Sequence, residues 1–174
     1  MPYPPVVIVD EYDREIGHAM LAEVWQNGWY HRIARVVVED EDGRILLQKR
    51  PQHMKLWPGC WDMSAAGHVD KDVSYEQAAA DELNEELGVS DALLTEVAWY
   101  KTNGVENGRI LNRFNKVYRT IAPAGTRFAF DPEEVDSVRW FTWEELLRLA
   151  HDHPEQITDG VAWLVAHYHA PVPA

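Results

Sequence analysis

Cysteine is almost absent from this sequence: Cys60 is the single one in 174 residues. One cysteine cannot form a disulfide within the chain, which fits a reducing compartment and indicates the cytoplasm. Long hydrophobic runs are missing too, because stretches such as 6–9 and 161–166 fall far short of the roughly 20 residues that cross a bilayer. The N-terminus has neither a basic start nor an apolar signal core. The sequence therefore predicts no membrane span and no secretion signal.

Basic side chains are scarce as well. Sixteen Lys and Arg stand against 29 Asp and Glu, which gives a net charge of −13. A surface of this charge repels a polyanion, so a nucleic-acid polymer is excluded as a general partner. A small phosphorylated ligand remains compatible, because a divalent cation held by carboxylates reverses the charge locally.

No internal repeat, low-complexity tract or block of charge divides the chain. The length suits one domain, and 46% hydrophobic residues are enough for a sizeable core. We therefore expect a single domain over residues 1–174.

The order of strands and helices indicates the fold class. β-rich runs at 35–39 and 45–48 flank Asp42-Gly43, which predicts a hairpin. Further strands are expected at 6–10, 15–17, 61–69, 97–102, 111–121 and 135–141, and helices at 18–25, 74–87, 142–151 and 158–169. Strands that surround and interleave with helices predict an α/β or α+β sandwich with a mixed sheet.

The clearest helix is the one at 74–87. Ser74 is placed as its N-cap with Gln77 closing a capping box, and Gly88 is placed to end it in the left-handed conformation. Apolar residues recur every fourth position and predict a buried stripe; they are Ala79, Leu83 and Leu87.

Three carboxylates on this helix form the most informative cluster. Glu82, Glu85 and Glu86 stand at i, i+3 and i+4, which places them on one face, opposite the apolar stripe. Like charges at this spacing destabilise an isolated helix, and a hard divalent cation would offset the repulsion. Taken alone, the triplet is also compatible with a solvated acidic surface.

The surroundings of the triplet extend the pattern. Gly67-His68-Val69 ends a predicted strand, a loop follows, and the helix closes with Glu82-Leu83-Asn84-Glu85-Glu86-Leu87-Gly88-Val89. This arrangement resembles the signature of the Nudix hydrolases, and the spacing from Gly67 to the three glutamates and Gly88 agrees with that family throughout. The resemblance implies a Nudix-like α/β/α sandwich with a mixed central sheet. It also implies cleavage of a diphosphate bond in a small nucleotide-linked or other X-diphosphate-Y substrate, with Mg²⁺ as the cofactor and Mn²⁺ as the alternative. Similar proteins are often homodimers, so a homodimer is left open.

The resemblance also assigns roles to residues. Glu82, Glu85 and Glu86 would bind the metal with the carbonyl of Gly67 as a further ligand, and the base would be a helix glutamate or Glu134. Arg50 and Lys55 would hold the phosphates that do not react. His31 and His68 occupy positions that resemble the metal-binding histidines of the branch of this superfamily that contains isopentenyl-diphosphate isomerase. A hydrogen-bonding or substrate-lining role is favoured for both, because the acids of that second site are missing.

Two positions depart from the family pattern. Val73 takes the place of a spaced glutamate, and Asp81 replaces the arginine before Glu82 that supports the glutamates in the family. These changes favour an alternative function, a catalytically weak Nudix-fold module that binds a phosphorylated metabolite.

The flanking segments look most like isopentenyl-diphosphate isomerase and its hydrolase-like relatives. The isomerase passes protons with a cysteine and a buried acid. Ala66 occupies the place of that cysteine, Cys60 is six residues too early, and residues 111–118, where the acidic strand would fall, hold no carboxylate. The isomerase is therefore the less favoured alternative.

Overall fold

The computed structural model describes residues 4–168. Over this range the chain forms β-strands and α-helices in alternating groups. The strands are β1 Val6–Val9, β2 Glu15–Ala19, β3 Tyr30–Glu39, β4 Ile45–Lys49, β5 Trp61–Asp62, β6 Ala65–His68, β7 Thr95–Thr102, β8 Val105–Glu106, β9 Arg109–Ile110, β10 Arg113–Ile121 and β11 Ser137–Phe141. The helices are α1 Leu21–Asn27, α2 Tyr75–Leu87, α3 Trp143–Asp152 and α4 Asp159–His167, with a 3₁₀ turn at Pro154–Gln156.

The long strand β3 is the centre of a nine-stranded sheet. One edge of β3 pairs with β10 in parallel, and β7 lies beyond β10. The other edge pairs in antiparallel fashion with β1, β6 and β4. Since parallel and antiparallel pairs occur in one sheet, the prediction of a mixed sheet is confirmed.

Helices cover both faces of the sheet because the side chains of β3 alternate. Ala34, Val36 and Val38 pack against α2 in one core cluster. Val37 points the other way and shares a second cluster with residues of α3 and α4. The result is the expected layering of helix, sheet and helix.

Helix α2 begins and ends where the sequence predicts. The Ser74 hydroxyl accepts from the Gln77 backbone N–H at 3.1 Å, and Gly88 ends the helix with φ 68°. The predicted capping box is wrong, because the Gln77 side chain donates to Asp81 at 2.8 Å and does not reach back to Ser74. The predicted stripe is fully buried at Ala79, Leu83 and Leu87.

Other boundaries also differ from the sequence-based expectation. Helix α1 begins at Leu21 because residues 15–19 pair with β1 as a strand. The strand expected at 61–69 is two short strands with different partners, β5 on β4 and β6 on β3. The small hairpin β8–β9 separates β7 from β10, which begins at Arg113. Helix α4 ends at His167, and residue 169 lies outside the described range.

The helices between residues 4 and 168 are all too short or too polar to cross a membrane.

Candidate functional site

The carboxylate of Glu86 joins helix α2 to the sheet. It accepts from the backbone N–H of Ala66 on β6 at 2.9 Å and from the side-chain Nε2 of Gln48 on β4 at 2.7 Å. Gln48 is itself buried, 1% exposed. The carboxylate is therefore held against strands β4 and β6 by hydrogen bonds within the protein.

Gly67 allows Glu82 to approach the same strand. A Cβ atom built on Gly67 would lie 1.7 Å from Oε1 of Glu82. The carboxylate thus fills the space that a side chain at position 67 would take. Glycine is required here for close packing, and this explains physically why a glycine stands at the end of β6.

The three glutamates do not all lie opposite the buried stripe, so that part of the sequence prediction is wrong. Glu85 is exposed, whereas Glu82 and Glu86 are partly buried and lean on the sheet. The reason is helical spacing: Glu82 lies three residues after Ala79, and Glu86 lies three after Leu83, so both border the buried stripe.

The electrostatics of this cluster are unbalanced. Burial, followed by the charge of Glu85, raises the pKa of Glu82 to about 8. Burial and then Glu82 raise the pKa of Glu86, and burial and then Glu134 raise the pKa of Glu85. The charged groups with the largest effects on the pKa of Glu82 are acidic: Glu85, Glu134, Asp70 and Asp81. A cation would supply the countercharge that these side chains lack.

The donor chemistry of the cluster fits a hard divalent metal. Carboxylate oxygens are the ligands that Mg²⁺ prefers, and the space in front of Gly67 brings one of them against the β6 backbone. Within residues 4–168 the His, Cys, Asp and Glu side chains do not converge into a ready group of three that could hold a metal ion.

The remaining residues assigned from the sequence lie on two loops. Glu134 is exposed in the loop before β11, and its charge reaches Glu82 and Glu85. Arg50 starts the other loop, 50–60, where its Nη1 donates to Asp62 at 3.2 Å and its Nε to the carbonyl of Leu56 at 3.1 Å. Lys55 is exposed on this loop. The structure thus brings Glu134 to the carboxylates and orients Arg50, while no contact fixes the Lys55 ammonium among the described residues.

His31 and His68 lie together next to this region. Their rings stack with centroids 5.4 Å apart, and Arg113 is the partner of His31 in the β10–β3 register. Burial and then Arg113 lower the pKa of His31 to about 4. Burial, then His31 and Arg113, lower the pKa of His68. The positive charge of the neighbouring Arg113 disfavours a second cation beside these rings.

A buried charged network was missed from the sequence. Arg35 is 3% exposed and donates to Asn115 at 3.0 Å. Its guanidinium also lies 3.5 Å from Asp159 and 3.8 Å from Asp62. One signal was available: an arginine within the apolar run of β3 must find partners, because a buried charge is stable only when it is paired.

The buried His31 ring predicts a pH dependence of stability. Between pH 6.5 and about 4 the unfolded chain binds a proton at His31 that the folded chain rejects, so His31 lowers stability as the pH falls through that window. We expect His31→Gln to show a smaller loss of unfolding free energy than the wild type between pH 7.5 and pH 4.5, measured by urea denaturation. The exposed His18 provides the control His18→Gln, which should follow the wild type. An identical pH dependence in all three proteins would contradict the buried neutral state of His31.

Comparison with known proteins identifies the family. The NUDIX domain matches residues 29–164. An isopentenyl-diphosphate Delta-isomerase from Nocardia farcinica is 37% identical over 161 residues, which cover 91% of this chain and 90% of that protein. The Nudix hydrolase PA4841 of Pseudomonas aeruginosa is 38% identical over 88 residues, 51% of this chain and 52% of that protein. The chain therefore belongs to the Nudix family, as the resemblance predicts.

Solved structures share the same fold. DR0079 from Deinococcus radiodurans has a TM-score of 0.79 at 23% identity, over 95% of this chain and 99% of that one. The NUDIX domain of NrtR from Shewanella oneidensis, in complex with ADP ribose, has a TM-score of 0.59 at 18% identity, over 85% of this chain and 96% of that one. These similarities confirm the predicted fold class.

Proposed function

We propose that this chain is a Mg²⁺-dependent Nudix hydrolase that cleaves a diphosphate bond in a small molecule, either nucleotide-linked or another X-diphosphate-Y compound. The observation that carries the proposal is the position of Glu82 and Glu86 against Gly67 and Ala66. Both carboxylates are partly buried, and the charged neighbours of Glu82 are acidic. Such a cluster is stabilised by a divalent cation.

Metal binding is assigned to Glu82, Glu85 and Glu86, with the carbonyl of Gly67 as a further ligand and Mn²⁺ as the alternative ion. When bound, the metal neutralises diphosphate oxygens. Water attacks one phosphorus, the bridging P–O bond breaks, and the products are two monophosphates. The proton of the water passes to a carboxylate, either a helix glutamate or Glu134, whose charge acts on two of the three.

Binding of the remaining phosphate oxygens is assigned to Arg50 and Lys55. Asp62 holds the Arg50 guanidinium in place, so little side-chain entropy is lost when it meets a phosphate. His31 and His68 would line the substrate side as neutral groups. The small-molecule substrate is the partner we propose, and the cytoplasm is the proposed location.

A binding module is the second candidate, favoured by Val73 and Asp81. Val73 packs against the apolar cluster of α2 and supplies no ligand. The Asp81 carboxylate accepts a hydrogen bond from Gln77, and its negative charge raises the pKa of Glu82. The family places an arginine at position 81. Both features weaken support for the glutamates and are compatible with binding without turnover.

The name of the Nocardia farcinica relative favours isomerisation as a third candidate. The residues around Ala66 do not supply the proton-transfer groups of an isomerase. The β10 residues that pair with His31 and Ile33 are Arg113 and Asn115, and neither is an acid. Asp62 and Asp159 are paired with arginines. We therefore place isomerisation below hydrolysis.

A substrate panel separates these functions. We would incubate the protein with nucleoside diphosphates and triphosphates, sugar nucleotides, dinucleotides and isopentenyl diphosphate, with and without Mg²⁺, and separate the products by chromatography. Metal-dependent release of phosphate or a monophosphate is the expected result. Thermal stabilisation by one compound without turnover would overturn the hydrolase in favour of the binding module. Conversion of isopentenyl diphosphate to its isomer would favour the third candidate.

A further inference from the structure

Helix α4 begins at a threonine whose hydroxyl makes two hydrogen bonds. The Thr158 hydroxyl accepts from the backbone N–H of Val161 at 3.4 Å, as an N-cap residue does. It also donates to Oδ1 of Asp62 at 2.7 Å, while the Thr158 backbone N–H donates to the carbonyl of Trp61 at 2.9 Å. The start of α4 is therefore attached to β5 through both its backbone and its side chain.

The two oxygens of the Asp62 carboxylate have different partners. Oδ1 accepts from the Thr158 hydroxyl and from the backbone N–H of Met63 at 2.8 Å. Oδ2 accepts from Nη1 of Arg50 at 3.2 Å. The Asp62 side chain is only 6% exposed, whereas the Arg50 side chain is 20% exposed. The buried carboxylate thus links α4 to a guanidinium that a ligand can reach.

The Arg50 guanidinium is held on two sides and is connected to the carboxylate cluster. Its Nε and Nη1 donate to Leu56 and Asp62, and its Nη2 makes no hydrogen bond among residues 4–168. Asp62 pairs with Gln48 across β5 and β4, and Gln48 donates to Glu86. The orientation of Asp62 therefore decides where the unoccupied edge of Arg50 lies relative to a diphosphate at the glutamates.

A second arginine lies close enough to compete for Asp62. Nη1 of Arg35 is 3.8 Å from Oδ1 of Asp62, which is beyond hydrogen-bond distance. Gly160 makes room for this guanidinium, because a Cβ atom at Gly160 would lie 2.3 Å from Nη1 of Arg35. Without the Thr158 hydroxyl, the carboxylate would turn toward Arg35, and Arg50 would lose the oxygen that orients it.

We propose that Thr158 is a positioning residue of the candidate active site, which orients Arg50 through Asp62 for binding of the phosphate that does not react. The inference rests on the proposed function, from which it takes the role of Arg50. It adds a residue that is 96 positions away from Asp62 in the chain. A threonine that only capped α4 would affect stability and leave phosphate binding unchanged.

The test measures binding of a diphosphate that cannot be hydrolysed. Isothermal titration calorimetry on the full-length protein would use methylenediphosphonate with Mg²⁺. Thr158→Val keeps the shape of the side chain and removes the hydroxyl, whereas Thr158→Ser keeps the hydroxyl. Thr142→Val is the matched control, because the Thr142 hydroxyl caps α3 by accepting from Glu145 at 3.2 Å and donates to no side chain among residues 4–168.

We expect Thr158→Val to bind methylenediphosphonate about tenfold more weakly than the wild type, since a hydrogen bond to a charged group is lost. Thr158→Ser and Thr142→Val should bind it like the wild type. Arg50→Gln should also weaken binding, and Thr158→Val should have no further effect in the Arg50→Gln background. Two residues that act through one contact are not additive in this way, whereas independent losses of stability are.

Three results would overturn the inference: wild-type affinity in Thr158→Val, equal weakening in Thr142→Val, or an undiminished effect of Thr158→Val in the Arg50→Gln background. If the wild type does not bind the probe, the inference is also wrong. Should Thr158→Val fail to fold, Thr158→Gly replaces it, because glycine is tolerated at an N-cap and has no hydroxyl. The same weakening is expected there, and wild-type affinity would again contradict the proposal.

The proposed hydrolase and the positioning role can fail separately. Probe binding that depends on Thr158 and Arg50, without turnover of any compound in the substrate panel, would count against the hydrolase alone. Mg²⁺-dependent turnover together with wild-type probe affinity in Thr158→Val would count against the positioning role alone.

Discussion

Glu86→Gln should lower Mg²⁺-dependent turnover by about 10³-fold, with a comparable loss in Glu85→Gln. Glutamine keeps the shape of the side chain and removes the negative charge that a cation needs. Glu85 is exposed, so its replacement should leave the fold unchanged. Glu86 is an acceptor for Ala66 and Gln48, and the amide oxygen of glutamine can still accept. We expect the free energy of unfolding without metal to change by less than about 1 kcal/mol in both variants.

The matched control is Glu76→Gln in the first turn of the same helix, which is exposed. It should retain the wild-type rate and the wild-type Mg²⁺ requirement. Initial rates on the best substrate of the panel, together with urea unfolding curves, provide the measurement. Wild-type rates in Glu85→Gln or Glu86→Gln would remove these residues from the metal site.

Gly67→Ala should also be severely impaired, although it adds only one methyl group. That methyl group would lie where Glu82 Oε1 now sits, so the carboxylate must move or the helix must shift. Overpacking of this kind costs about 1–3 kcal/mol. A displacement of about 1 Å at a catalytic group is worth roughly 10²-fold in rate. Turnover and the free energy of unfolding should therefore both fall.

Gly125→Ala separates the loss of stability from the loss of the site. Gly125 has φ 81° in an exposed turn, so alanine is strained there without touching the glutamates. We expect it to lower stability and keep turnover, measured by the same assays at a temperature where both variants are folded. Turnover of Gly67→Ala equal to that of Gly125→Ala would show that the contact between Gly67 and Glu82 is not needed.

The local features of the fold could be predicted because their causes are local. Ser74, Gly88 and the four-residue repeat of Ala79, Leu83 and Leu87 define α2 within one stretch of chain. The turn at Asp42-Gly43 joins two adjacent strands, β3 and β4. The predicted capping box is absent for a local reason as well, because the Gln77 side chain donates to Asp81, one turn further along the helix.

The site could be predicted in part. The spacing of Gly67 and the three glutamates indicated a metal site. It did not indicate which carboxylates pack against the sheet. That depends on how α2 is rotated over β6, and the rotation follows from burial of its apolar stripe. The outward position of Glu85 and the anchoring of Glu86 by Gln48 could be seen only after packing.

The sequence by itself determined the class of fold, the acidic helix and the glycine against which it packs, because each depends on residues that are close together in the chain. Only the tertiary structure decided the partners of the buried charges. Arg35 meets Asn115 and Asp159 across 80 and 124 residues of chain. No periodicity encodes such pairs, since they arise where strands that are distant in sequence align side by side. The same alignment brings Arg113 next to His31.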